Sequence, residues 1–549
     1  MERILFIVPP NVSFESFVKP AFNERTVAKT TGIYGSIVTE MPLGVLSLSA
    51  YLKQNAKVEI RLIDFNVILN KIKGFNFNCF SELFRSVLSS KEWKEYNPTI
   101  IGISTLYTPS YRNMLDLADV SKNMFRDSQV IAGGGVPTNM YKEIFKVNKS
   151  IDALCYGEGE KPLLELVRAG NKKEILNSHR SWITKEKILG NKTFSYDFIN
   201  DLDEIPFPDY DILELVEYKE KSIMSLFPLA NEKKRGFPIL TSRGCTHRCC
   251  FCASHTVHGR EMRYYSISRV KEDFTRLKER YKADVIIIID DHFMSDKKRV
   301  FEILGVIKGL GLAAFFPSSL ALYALDREIL GALKSIGVDN LVLSVESGSN
   351  RVLKEIMHKP LNLSIVKKVI SDCRELGIAS DVSILIGLPG ETKKDIDEAL
   401  DFLKTLNATW FRISMATPLV GSEMLDICLK EDYIRGDYMD CDFKKPVICT
   451  KEFTPEYIKE KAYLMNLELN FVFNGDMKLG NYKTALKGFE NTIKVKDDHA
   501  FAYYFAAKCH KKAGDNDKYL QYKEKYNQII GQSEFWKNYA VLFKLLPLE

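Results

Sequence analysis

Short apolar runs alternating with helices, twice over in one chain, restrict this sequence to α/β architectures. In the first series, residues 4–8, 58–63, 100–104 and 130–132 are strand-sized, and they alternate with helical stretches at 44–54 and 112–125. Such a pattern implies a parallel sheet with helices on both faces. Sheets of this kind bind ligands outside the carboxyl ends of their strands. In the second series the strands fall at 238–241, 285–289, 314–317, 341–345, 380–386 and 411–415, each followed by a plausible helix. Six βα units in a row predict a partial or complete barrel with its functional groups on the strand-end loops.

At 549 residues the chain is too long for one hydrophobic core. The expected division is a Rossmann-like domain at 1–170, a connector at 171–232, a (β/α)6 barrel at 233–430 and a helical domain at 431–549. The connector is richer in Lys, Asn and Pro and includes Ile205-Pro206-Phe207-Pro208-Asp209-Tyr210. Near the end, Gly480-Asn481-Tyr482, Ala485 and Phe489 match the second helix of a tetratricopeptide unit, and Gly514 follows Gly480 by that repeat's 34 residues. One and a half such units need neighbours, so this tail is expected to pack on the barrel or on a partner protein.

Apolar residues at 46% and charged residues at 27% describe an ordinary globular protein. A net charge of +6, with no long single-sign block, gives no reason to expect nucleic-acid binding. No apolar run approaches the roughly 18 residues of a membrane span. The start, Met1-Glu2-Arg3, leads into a strand and not a leader peptide, so the expected location is the cytoplasm.

Four of the eleven cysteines fall within eight residues, in Thr241-Ser242-Arg243-Gly244-Cys245-Thr246-His247-Arg248-Cys249-Cys250-Phe251-Cys252. The spacing of Cys245, Cys249 and Cys252 is Cys-x3-Cys-x2-Cys. Three thiolates on one loop can hold three irons of a cubane and leave the fourth iron open. Arg243, His247 and Arg248 add positive charge that favours thiolates. A zinc site is the competing reading. It would need Cys250, His255 or His258 as a fourth ligand, and a second ligand pair with zinc-finger spacing is absent.

The Cys-x3-Cys-x-aromatic-Cys loop, with Phe251 as the aromatic, resembles the signature of radical S-adenosylmethionine enzymes. Further segments resemble that family in order: Asp290-Asp291-His292-Phe293, Ser344-Val345-Glu346-Ser347-Gly348, Ile386-Gly387-Leu388-Pro389-Gly390, and Ala416-Thr417-Pro418 with Gly421 and Ser422. The resemblance implies a [4Fe–4S] cluster on Cys245, Cys249 and Cys252. S-adenosylmethionine would chelate its open iron and be cleaved to a 5′-deoxyadenosyl radical, with electrons from an external donor. It further implies that Glu346 binds the ribose and Ser344 the methionine part, that Ile386 and Gly387 pass close to adenine, and that Asp290, Asp291 and His292 face substrate. A strand-end carboxylate can equally cap the next helix. Ala321 falls where family members often carry an Arg.

The first domain resembles the cobalamin-binding domain that precedes the barrel in one subclass. The resemblance rests on Met41-Pro42-Leu43-Gly44-Val45-Leu46, Ala50-Tyr51-Leu52, Gly102-Ile103-Ser104-Thr105, Gly133-Gly134-Gly135 and Tyr156-Gly157-Glu158-Gly159-Glu160. It implies that Ser104, Thr105, Gly133, Gly134 and Gly135 line the cofactor's nucleotide tail. The loop that supplies cobalt with a lower histidine elsewhere is replaced by Tyr107-Thr108-Pro109-Ser110-Tyr111. The competing reading keeps the fold without the cofactor.

Together these resemblances imply a cobalamin-dependent radical enzyme that methylates an unactivated carbon of a small-molecule, peptide or carrier-bound substrate. The alternatives are a cyclisation, rearrangement or oxidation without methyl transfer, or a scaffold with a structural cluster.

Overall fold

The computed structural model describes residues 1–20, 25–219, 234–440, 445–545 and 547–548; the end of the expected connector lies outside them. The chain falls into two compact units. The first is built on described residues of Met1–Ile223, Arg235–Val306 and Thr417–Val447, the second on Ile307–Ala416 and Ile448–Glu549.

In the first unit β1 (Glu2–Val8) is followed by the hairpin β2 (Thr26–Lys29) and β3 (Gly32–Gly35), then β4 (Val58–Asp64), β5 (Ile100–Ser104), β6 (Gln129–Gly133), β7 (Ala153–Cys155) and β8 (Trp182–Ile183). The main sheet runs β4-β1-β5-β6-β7-β8, parallel except for β8. The order reverses at β1 and β5, so a crevice is expected at their carboxyl ends. Ile4, Leu5, Ile7, Ile100 and Ile101 are fully buried, as a sheet covered on both faces requires. The boundary expected at residue 170 falls short of the sheet's last strand: Trp182 and Ile183, inside the expected connector, pair with Cys155 and Leu154.

The same unit holds the first barrel strands. These are β9 (Gly236–Ile239), the short β10 (Ser242–Arg243) and β11 (Arg263–Tyr264), and β12 (Val285–Ile288), with β9 and β12 parallel. Val285-Ile286-Ile287-Ile288 is β-branched throughout and buried throughout.

The second unit carries β13 (Ala313–Phe315) and the parallel sheet β14 (Asn340–Glu346), β15 (Ala379–Ile386) and β16 (Trp410–Met415). Helices follow at Tyr482–Val495, Ala500–Ala513, Asn516–Gln532 and Glu534–Leu542. Ala500–Ala513 is buried on nearly every side, with Phe501, Phe505 and Ala506 against Phe471, Phe489 and Trp536. The helices starting at Tyr482 and Asn516 follow Gly480 and Gly514, both at positive φ (76° and 79°). Among the described residues no helix is long and apolar enough to cross a membrane.

Candidate active site

Strands β10 and β11 pair antiparallel, Ser242 with Tyr264 and Arg243 with Arg263, and the loop they close carries Cys245, Cys249 and Cys252. Gly244 makes the entry possible. Its φ is +96°, and a Cβ there would run into the Glu261 carbonyl. The three cysteines are half-buried and unbridged. Burial pushes the Cys245 thiol up to about 11, with Cys252, Asp291 and Cys249 adding to it, so the thiols are near one another. Cys250 is buried with its thiol pushed up to about 12 by burial, and His258 is committed to Glu158 at 2.8 Å. Cys250 is thereby disfavoured as a fourth zinc ligand.

Asp290 takes a different part from the one expected of it. Its buried carboxylate accepts hydrogen bonds from the Thr241 amide (2.6 Å), the Thr241 hydroxyl (2.5 Å) and the Ser242 hydroxyl (2.6 Å). It therefore faces the strand that enters the cysteine loop and not a substrate. Asp291 is only half-buried and close enough to act on the Cys245 thiol. The His292 ring lies 4.5 Å from that of His247. Burial and that neighbour push His292 down to about 4, which keeps it neutral near pH 7.

Arg243 also departs from expectation. It is buried between Glu158 (3.1 Å) and Glu160 (2.7 Å), so its charge is spent on those carboxylates and not on the thiolates. Sequence reasoning quoted Glu158 and Glu160 only as part of a motif; an acidic pair at alternate positions before a helix was the available signal.

At the carboxyl ends of β5 and β6, Ser104 lies opposite Gly133, and the Thr105 amide donates to the Gly133 carbonyl (2.9 Å). The Thr105 hydroxyl is buried without a hydrogen-bond partner among the described residues, which fits a polar cofactor completing it. The glycines are used less simply than expected. A Cβ on Gly134, at φ +111°, would sit 2.5 Å from the Thr105 carbonyl, and one on Gly135 would sit 3.1 Å from that of Leu106. Their smallness lets the two loops close on each other, and Gly133 alone has ordinary room, 3.6 Å from Cys155. Gly134→Ala is accordingly expected to cost at least about 2 kcal/mol, read as a lower urea midpoint, and to reduce cobalamin retention. In the stretch that lacks the lower histidine, Tyr107 donates to Glu40 (2.8 Å).

In the second unit, β14 bulges between Ser344 and Glu346, and Glu346 has φ +65°. A non-glycine residue held there marks a site where geometry outweighs local comfort. Glu346 is buried, which raises its pKa against the pull of Lys359, 3.7 Å away. Leu320 makes an isolated parallel bridge to Leu343, and Ala321 follows it, beyond the end of β13. Ile386 is buried at the end of β15. The next residue, Gly387, has φ +88°, and a Cβ there would press on Ile458 at 2.9 Å. The room expected for adenine beside this glycine is thus partly taken by Ile458.

Glu391, one residue beyond the quoted motif, was missed. One oxygen accepts from the Gly387 (2.6 Å) and Leu388 (3.1 Å) amides, and burial pushes its pKa up to about 7. Because the folded carboxyl keeps its proton while the unfolded one has lost it, stability falls as pH rises from about 4.5 to about 7. The expected loss is about 3 kcal/mol. Glu391→Gln, which keeps an acceptor oxygen, should flatten that slope in urea midpoints taken across the range.

Glu165, His179 and Asp197 also bring ligand atoms within 4.8 Å of one another. The His179 Nδ1 accepts from the Ser181 amide (3.1 Å), which leaves its proton on Nε2, directed at Asp197 (3.2 Å). A cation would have to displace that Nε2 proton, so the trio is a hydrogen-bonded group.

A cysteine loop after the first strand of a βα series, and a strand-end cradle in an open parallel sheet, define a cofactor-dependent α/β enzyme. Residues 239–403 match the Radical SAM superfamily, and residues 38–167 match the B12 binding domain. An uncharacterized methyltransferase of Pyrococcus horikoshii is 27% identical over 84% of this chain and 92% of its own. The cytidylyl-2-hydroxyethylphosphonate methyltransferase of Streptomyces wedmorensis is 27% identical over 63% and 69%. The cobalamin-dependent S-adenosylmethionine radical enzyme OxsB shares the fold at a TM-score of 0.61 and 16% identity, covering 97% of this chain and 83% of its own. The chain thus carries a radical SAM domain and a B12 binding domain, followed by a helical segment. Its cofactors are a [4Fe–4S] cluster, S-adenosylmethionine and cobalamin.

Proposed function

We propose that this enzyme methylates an unactivated carbon. The observation that carries the reading is the building of the cysteine loop and the Thr105–Gly133 cradle into one compact unit. When bound, the cluster and S-adenosylmethionine supply a hydrogen-abstracting radical, and cobalamin supplies the methyl group. Cys245, Cys249 and Cys252 would hold the cluster. Asp290 braces the strand leading to them. Asp291 and neutral His292 would face substrate, with His292 able to accept a proton. Ser344, Glu346, Ile386 and Gly387 would hold S-adenosylmethionine, and Glu391 fixes the turn that contains Gly387. Ser104, Thr105 and Gly133 to Gly135 would seat the nucleotide tail.

Both methyltransferase relatives support this reading. The ten cysteines among the described residues are unbridged, which supports a reducing cytoplasm, and the radical SAM domain supports an external electron donor. The helical tail, kept as a tetratricopeptide-like unit, is assigned to contact with a protein or carrier. Anaerobically reconstituted enzyme with S-adenosylmethionine, reductant and candidate substrates should retain cobalamin and release both S-adenosylhomocysteine and 5′-deoxyadenosine. 5′-Deoxyadenosine alone would refute methyl transfer and leave a radical rearrangement or oxidation.

A further inference from the structure

The loop that carries the cluster cysteines is fastened to the cobalamin domain by a set of buried charges and one amide. All the anions come from the turn after β7, and all the cations come from the stem of the cysteine loop and the segment that closes it. Glu158 takes Arg263 through both guanidinium nitrogens (2.6 and 3.0 Å), Arg243 at 3.1 Å and His258 at 2.8 Å. Glu160 takes Arg243 at 2.7 Å and the Ser47 hydroxyl at 2.7 Å. Glu158, Glu160 and Arg243 are no more than 5% exposed, and Arg243 and Arg263 stand opposite each other in the β10–β11 pair. The second fastening is Asn139. Its amide donates to the carbonyl of Gly135, in the cradle, and to the hydroxyl of Thr256, in the cysteine loop (2.8 and 2.9 Å).

A buried ion cluster often adds little net stability over apolar packing of the same volume, and in some proteins what it supplies is a defined geometry. Here it joins the two loops that serve different cofactors. Methyl transfer to a carbon that has just lost hydrogen needs both cofactors at set places about one substrate, and misplacement by about 1 Å costs on the order of 100-fold in rate. We infer that Glu158 and Asn139 are positioning residues that set the cluster loop against the cobalamin cradle. Their loss lets radical formation proceed without methyl transfer. The inference rests on the methyl-transfer reading.

The test uses reconstituted full-length enzyme, with results taken per loaded site from measured iron and cobalamin. In Glu158→Gln two guanidinium groups face each other with one anion fewer between them. The 5′-deoxyadenosine formed per S-adenosylhomocysteine is expected to rise at least threefold. The broadening of the cob(II)alamin EPR signal by the reduced cluster is expected to weaken or spread, a change that a loss of stability alone would not produce. Asn139→Ala should move both readouts the same way by a smaller factor, and it decides the matter if Glu158→Gln fails to fold or to load iron. Wild-type product ratio and EPR broadening in the folded variants would overturn the inference while leaving methyl transfer intact. A wild-type enzyme that retains no cobalamin would overturn both.

Discussion

Cys249→Ala is expected to leave an enzyme with less than about one iron per chain, against about four for a cubane, and no 5′-deoxyadenosine above background. The loss should be at least about 100-fold, because the adjacent cysteine is poorly suited to replace the lost ligand. Cys250, next in sequence, is buried with a thiol that burial pushes up to about 12, and its carbonyl is held by the Met424 amide (2.8 Å). His258 is engaged by Glu158. By the same argument Cys250→Ser should keep its iron, so the pair of variants separates ligation from packing. Iron analysis and product chromatography measure both; a loaded, active Cys249→Ala would refute the cluster assignment.

Asp290→Ala should have the largest effect on stability. It removes one carboxylate and strands three buried donors, the Thr241 amide and the Thr241 and Ser242 hydroxyls. Loss of a buried charged acceptor of this kind typically costs about 3–5 kcal/mol, and the urea midpoint should fall accordingly, with iron content falling alongside. Asp290→Asn keeps one acceptor oxygen and should lose less. Asp291→Asn, at a half-buried position, should hold the midpoint within about 0.5 kcal/mol and lower turnover. A stable Asp290→Ala with normal iron and impaired turnover would reverse the assignment and return Asp290 to the substrate.

The strands were the most legible part of the fold. Val285–Ile288 and Ile100–Ile103 are unbroken apolar runs, and a strand buried on both faces advertises itself in that way. The hairpin at Thr26–Lys29 and Gly32–Gly35 and the two-residue strand Trp182–Ile183 went unseen. They are short, and pairing with a distant neighbour, not local pattern, makes them strands.

The sequence by itself determined the class of chemistry. Three cysteines at one spacing define a cluster loop wherever that loop is placed, and glycines at strand ends mark turns that other residues cannot make. It could not decide which charges are spent. Arg243 reads as a cation beside thiolates, yet its partners stand 83 and 85 positions away, a separation that no periodicity encodes. Nor could it decide whether Gly134 and Gly387 make room for a cofactor or for the chain's own Thr105 and Ile458. Ligand identity is a local property of side-chain chemistry, but pairing and free volume depend on which segments meet, and only the tertiary structure brings those together.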